Sequence, residues 1–283
     1  MSFEFKALAA LQRAGEAVLI TIAETRGSTP RERGAQMLVT SLGMLGSIGG
    51  GTLEWQAMAE AQSMLARQQN FSRKNFVLGP DLGQCCGGSV VLELQRFEAT
   101  QVQALQVALE PTTPRRRLYL FGAGHVGRAL VLVLAQSNFD IVWVDPRPRA
   151  FPSAQPQNVK PDNRVDALTA LDAMAPNSFA LVMSHSHELD FAIVDKALRQ
   201  SAIVGLGLIG SATKKGRFLS RLRQAGHSEE RLSDMICPIG GSGISSKEPY
   251  AVALSTAHQF LALDEKLQLS QTSDMSKAKS ASW

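Results

Sequence analysis

Leu118-Tyr119-Leu120-Phe121-Gly122-Ala123-Gly124-His125-Val126-Gly127 is the stretch that decides the fold. Four apolar residues read as a short buried strand. The glycines follow it directly, before a run with apolar residues at helical spacing (Val126, Leu130, Val133, Leu134) that predicts a helix to about Ser137. In that setting each glycine has a task. Gly122 permits the tight turn, Gly124 lets backbone approach a phosphate, and Gly127 lets helix and strand pack closely. The helix start at His125 offers free N–H groups and the positive end of a dipole to an anion. Residues 141–144 read as the next strand, and Asp145 at its end stands where a carboxylate accepts hydrogen bonds from a ribose. Arg147 nearby would instead favour a second phosphate, so the nucleotide stays open. A doubly wound fold without a ligand is the plainer alternative.

Working outward, residues 179–183 and 202–206 predict further strands, with helices at 187–199 and 212–225 and a last amphipathic helix at 246–263. Alternating strands and helices argue a parallel sheet with helical crossovers. The expected fold class is α/β: a C-terminal Rossmann-like doubly wound sheet over residues 117–265, with a smaller α+β domain at 1–110. Residues 111–116, opening with Pro111-Thr112-Thr113-Pro114, read as a linker, and the polar tail 266–283 as disordered. In the N-terminal part the pattern predicts a helix at 3–14, strands at 17–23, 35–40, 75–78 and 89–94, and a helix at 52–67 with Thr52 as its N-cap.

Composition narrows the function classes. With 45% hydrophobic and 19% charged residues the chain has the make-up of a globular domain, and no apolar run approaches the length a membrane span needs. The N-terminus lacks the pattern of a secretory signal, and Cys85, Cys86 and Cys237 form no disulfide framework. A cytoplasmic setting is therefore expected. The net charge of +4 is a small surplus, and it lies in residues 111–283, which hold 20 basic and 15 acidic side chains. No aromatic residues interleave with the basic stretches, so nucleic acid is not the expected partner; the series Lys214, Lys215, Arg217, Arg221 and Arg223 reads as a solvated helix surface.

Three further constellations carry chemistry. In Gly83-Gln84-Cys85-Cys86-Gly87-Gly88 two adjacent thiols cannot form a zinc knuckle, but glycines on both sides leave room for a bulky ligand, and a soft sulfur suits a soft metal or a persulfide. Inert burial of the cysteines is the competing reading. The run from Gly46 to Gly51, with Gly49, Gly50 and Gly51 opening a helix and Arg31 and Arg33 on the preceding loop, resembles a second anion site; a tight strand-to-helix turn explains it equally. No Gly-Lys-Ser or Gly-Lys-Thr follows, so ATP hydrolysis is not indicated. In Ser184-His185-Ser186-His187, at the carboxyl end of a parallel strand, His185 and His187 are placed to face a cofactor or donate protons, or His187 simply begins a helix.

Taken together, the chain resembles the XdhC family, the xanthine dehydrogenase accessory proteins. The resemblance covers nearly the whole sequence. It rests on Arg26-Gly27-Ser28-Thr29-Pro30-Arg31, Ile48-Gly49-Gly50-Gly51-Thr52-Leu53-Glu54, Gly83 to Gly88, Gly122 to Gly127, Asp145-Pro146-Arg147-Pro148 and Gly207-Leu208-Ile209-Gly210-Ser211. One departure is Ser184-His185-Ser186-His187, where the family is expected to carry Thr-His-Asp-His. The resemblance implies a protein that binds molybdenum cofactor, as molybdopterin or a dinucleotide form, protects it during sulfuration and delivers it to a xanthine dehydrogenase-type molybdenum hydroxylase. Cys85 or Cys86 would then contact sulfur or molybdenum. A cysteine desulfurase and a second copy of the chain are the other implied partners, and the role is that of a chaperone rather than a catalyst with its own turnover. The alternative from another class is an NAD(P)-dependent oxidoreductase using the Gly122 loop, Asp145 and His185.

Overall fold

The computed structural model describes residues 3–79, 87–110, 115–163, 166–241 and 243–280, with side chains described as far as 270. The chain divides into two compact units, Met1–Pro114 and Arg115–Trp283.

The first unit is an antiparallel sheet covered on both faces. Its elements are α1 (Phe3–Ala14), β1 (Glu16–Arg26), β2 (Gln36–Thr40), β3 (Gly43–Gly46), α2 (Gly51–Arg67), β4 (Phe71–Val77), β5 (Ser89–Glu98) and α3 (Val102–Leu109), and the strand order is β3-β2-β1-β5-β4. Alternation along β1 separates the two faces. Val18, Ile20 and Ile22 pack with Leu92 and Leu94 against α2, whereas Ala17 and Leu19 join Phe97, Leu11 and Leu105 beneath α1 and α3. Burial on both faces explains why β1 reads as a continuous apolar run.

The second unit is a doubly wound parallel sheet. Its strands are β6 (Arg116–Phe121), β7 (Phe139–Val144), β8 (Val159–Asp162), β9 (Ser178–Val182), β10 (Ile203–Leu208) and β11 (Met235–Ile236). All neighbouring pairs are parallel, in the order β8-β7-β6-β9-β10-β11, so the direction of winding reverses between β6 and β9. Helices α4 (His125–Val133) and α9 (Pro249–Ser280) cover one face through Leu130 and Phe260. Helices α5 (Ala167–Asp172), α6 (His187–Leu198), α7 (Ala212–Gln224) and α8 (Glu229–Ser233) cover the other, with Leu171, Ile193, Leu222 and Leu232 in its core. The α/β class read from the sequence is the observed one. Ligand crevices in such sheets lie outside the carboxyl ends of the strands at the reversal, which here places them at the β6 and β9 loops.

Several local expectations change. Helix α2 is capped by Gly50, not by Thr52, because a buried carboxylate one turn later organises the preceding loop. Helix α4 ends at Val133 rather than near Ser137. Helix α9 continues through the segment expected as a disordered tail from 266, reaching Ser280; that stretch contains neither proline nor glycine to stop it. Strands β3, β8 and β11 and helices α5 and α8 had no counterpart in the sequence reading. No helix among the described residues is long and apolar enough to cross a membrane.

Candidate functional site

The three glycines of the first motif divide their work as their positions require. Gly122 has φ +112°, and a Cβ there would stand 2.2 Å from Met183 O, so the turn after β6 lies directly on the chain leaving β9. A Cβ on Gly127 would stand 2.4 Å from Gly122 O, which holds α4 against its own strand. Gly124 caps α4 without a side-chain bond and meets nothing within 4 Å, leaving the helix start open to a ligand beside exposed His125. The Trp143 indole donates to Gly122 O at 3.0 Å and further pins the turn.

Asp145 is not open in the way a ribose contact requires. It is 2% exposed, and its carboxylate accepts from the Ala123 N–H at 2.7 Å, the Arg147 N–H at 3.1 Å, and Arg147 Nε and Nη2 at 2.9 and 2.6 Å. Burial raises its pKa, but the Arg147 guanidinium and the amides of Ala123 and Arg147 outweigh that and hold the carboxyl below its usual range. Asp145 thus ties β7 to the glycine turn, and Arg147 is committed to it.

The β9 loop opens a cavity of about 740 Å³ between the beginnings of α6 and α7. Ser186 caps α6 and Ser211 caps α7, so two helix N-termini border this space. His185 and His187 are exposed on its rim. Asp190, 1% exposed, accepts from the Ser184 N–H at 2.9 Å and from Lys214 Nζ at 2.6 Å, while Lys214 also donates to Ile209 O at 2.9 Å. Lys214, Arg217 and Arg221 line the cavity, although the sequence reading placed that series on a solvated surface. The available signal was their spacing of three and four residues, which sets them on one helix face. Among the described residues no group of three or more His, Cys, Asp or Glu is arranged to hold a metal ion.

In the first unit the loop 26–31 joins the other motifs. A Cβ on Gly88 would stand 2.2 Å from Ser28 O and 2.5 Å from Arg26 O, and Ser28 pairs with Gly87 in a parallel bridge. On the other side a Cβ on Gly49 would stand 2.5 Å from Pro30 Cγ, and Arg31 Nη1 donates to Ser47 O at 3.4 Å. Cys85 and Cys86 lie outside the described residues. Their segment is bracketed by Leu78 and Gly87, where the Leu78 N–H donates to Gly88 O at 2.8 Å and the Gly87 N–H to Leu78 O at 2.9 Å.

In the glycine run at 46–51, the amides of Ile48, Gly49 and Gly50 are not presented to a ligand. The N–H groups of Ile48, Gly49 and Gly50 donate to Glu54 Oε1 at 2.9, 3.2 and 2.8 Å, and the Ser47 hydroxyl donates to the same oxygen at 2.6 Å. The anion in this nest is the protein's own carboxylate. Burial raises the Glu54 pKa, and these four donors more than offset it, leaving the carboxyl below its usual range. Nothing in the spacing of Ile48 to Glu54 signals this role for Glu54.

A doubly wound, Rossmann-type domain with an open glycine turn, joined in sequence to a small α+β unit that gathers an arginine loop and a Cys-Cys-Gly-Gly flank, defines the class. Residues 118–259 match the XdhC Rossmann domain, and residues 10–74 match the XdhC and CoxI family. The chain belongs to the XdhC family. It is 32% identical over 249 residues to YqeB of Escherichia coli K12, an alignment covering 85% of this chain, and it spans only 42% of YqeB's length. PaoD of the same organism, a molybdenum cofactor insertion chaperone, is 23% identical over 272 residues, covering 83% of this chain and 79% of PaoD. The crystal structure of a xanthine dehydrogenase from Bacillus halodurans superposes with a TM-score of 0.76 at 20% identity, covering 94% of this chain and 96% of that one, which shows a common fold.

Proposed function

We propose that this protein is a cytoplasmic carrier that receives molybdenum cofactor as cargo, shelters it during sulfuration, and passes it to a xanthine dehydrogenase-type hydroxylase subunit. The observation that carries the reading is the meeting of motifs around loop 26–31, which joins the Gly87–Gly88 flank of the cysteine pair to the Gly49 turn. Gly87 and Gly88, which follow the thiol segment, pack directly on loop 26–31, and Arg26 on that loop supplies positive charge, while Arg31 is paired with Glu32 at 3.1 Å. Membership of the XdhC family and the likeness to PaoD support the same role. Cys85 or Cys86 would provide the sulfur contact. Taken by itself, the second unit offers the open Gly124 turn with His125, and His185 and His187, as candidate contacts for a phosphate-bearing ligand such as molybdopterin or its dinucleotide form. Asp145, Gly122 and Gly127 shape that turn rather than touch the ligand. An oxidoreductase reading based on NAD(P) gains nothing from Asp145, whose carboxylate is already fully engaged.

The test is molybdenum and pterin content after loading the full chain with cofactor and desalting it. Stoichiometric retention that falls in the Cys85→Ala, Cys86→Ala double variant is the expected result. Absence of retention in the natural protein, with NAD(P) binding intact, would overturn the proposal. Co-purification with the hydroxylase subunit and with a cysteine desulfurase tests the delivery and sulfuration steps, and sedimentation tests the expected homodimer.

A further inference from the structure

We infer that the cavity between α6 and α7 is a phosphate-ester site in which Arg217 and Arg221 bind the anion. This rests on the proposed role of His185 and His187, which rim the same cavity, and deepens it by naming the side chains that bind the anion. The cavity lies past the β9 and β10 loops, in the half of a doubly wound sheet that receives the second mononucleotide of a dinucleotide. Its lining holds three cations, Lys214, Arg217 and Arg221, against one carboxylate, Asp190. That carboxylate does not cancel the arginines, because Lys214 and the Ser184 N–H already saturate it.

Among the described residues neither of these two arginines has a counter-ion. Among the described residues Arg217 makes no hydrogen bond or ion pair. Arg221 Cζ lies over the Phe191 ring, 3.7 Å from its centroid, which restrains the guanidinium without neutralising its charge. Arg223, on the same helix but outside the cavity, is paired with Glu229 at 2.6 and 3.0 Å. The unpaired guanidiniums of α7 are thus those that line the cavity. The positive ends of α6 and α7 add to the same field, and the Ser211 and Thr213 hydroxyls supply neutral donors. Planar guanidiniums suit the oxygens of a phosphate. The positively charged ring of an oxidised nicotinamide would meet repulsion here.

The probes are inorganic phosphate and pyrophosphate, titrated calorimetrically into the full chain at low and high salt. One pyrophosphate per chain is expected, with affinity that falls as salt rises. The Arg217→Gln, Arg221→Gln variant should lose about tenfold or more in affinity, whereas Lys215→Gln, on the same helix outside the cavity, should bind as the natural protein does. Both arginines are exposed, and an unchanged thermal midpoint confirms that the variant folds. Equal affinity for the two probes assigns a monophosphate ester, and a strong preference for pyrophosphate assigns a diphosphate. No saturable binding, unchanged binding by the arginine variant, or an equal loss in Lys215→Gln would overturn the site. Pyrophosphate binding that persists in a protein unable to retain molybdenum would leave the site standing and remove the carrier role instead.

Discussion

Gly88 lies so close to Ser28 that a Cβ on the glycine would stand 2.2 Å from the Ser28 carbonyl oxygen, with Arg26 O at 2.5 Å on the same side. Both neighbours are backbone, so neither can swing away as a side chain would. Gly88→Ala should therefore shift the 26–31 loop, costing about 1 to 3 kcal/mol in urea unfolding. Molybdenum retention should drop with it; undiminished retention at reduced stability would show that this packing serves the fold alone.

Glu54 gives a prediction with a sign in pH. Its carboxyl is depressed in the folded protein, so its stabilisation is present above the unfolded carboxyl range near 4.5 and is lost as pH falls through the folded value. Glu54→Gln should cost about 1 to 3 kcal/mol at neutral pH. The gap between variant and natural protein should narrow when unfolding is measured near pH 3. A gap independent of pH would mean that the charge on Glu54 contributes little.

The glycines of the β6 turn should separate folding from binding. Gly127→Ala places a Cβ 2.4 Å from Gly122 O and should lower the thermal midpoint, whereas Gly124→Ala meets nothing within 4 Å and should leave it unchanged. Gly124 also has φ −73°, which alanine adopts freely. The added methyl should nevertheless obstruct phosphate at the α4 start, and a fall in cofactor retention without a fall in stability is the outcome expected of Gly124→Ala.

Asp145→Asn should destabilise the second unit by about 2 kcal/mol, since an amide cannot accept from all the donors now bound by the carboxylate. Here too the effect should fade in acid, because the folded pKa of Asp145 lies below its ordinary value. Unfolding curves at pH 7 and pH 3 check both statements. If cofactor retention at neutral pH survives the substitution, Asp145 acts through the turn and not on the ligand.

The doubly wound architecture was legible in the sequence, because strand, G-x-G-x-x-G and helix follow one another within ten residues; the packing of Gly122 on Met183 O was not, since it joins residues far apart in the chain. Sequence patterns also marked Cys85-Cys86 and the 26–31 loop, through residue types that have few other uses together. Short elements such as β8 and α5 escaped, since four to six residues carry too little periodicity to read. What the tertiary structure decided are the pairings. The Glu54 carboxylate enters its own glycine nest, Asp145 is closed by Arg147, and Asp190 takes Lys214 from 24 positions away, leaving Arg217 and Arg221 without a counter-ion among the described residues. A charge in a sequence has no partner assigned to it. Only the fold, by setting which carboxylate reaches which cation, determines which charges are left to bind something else.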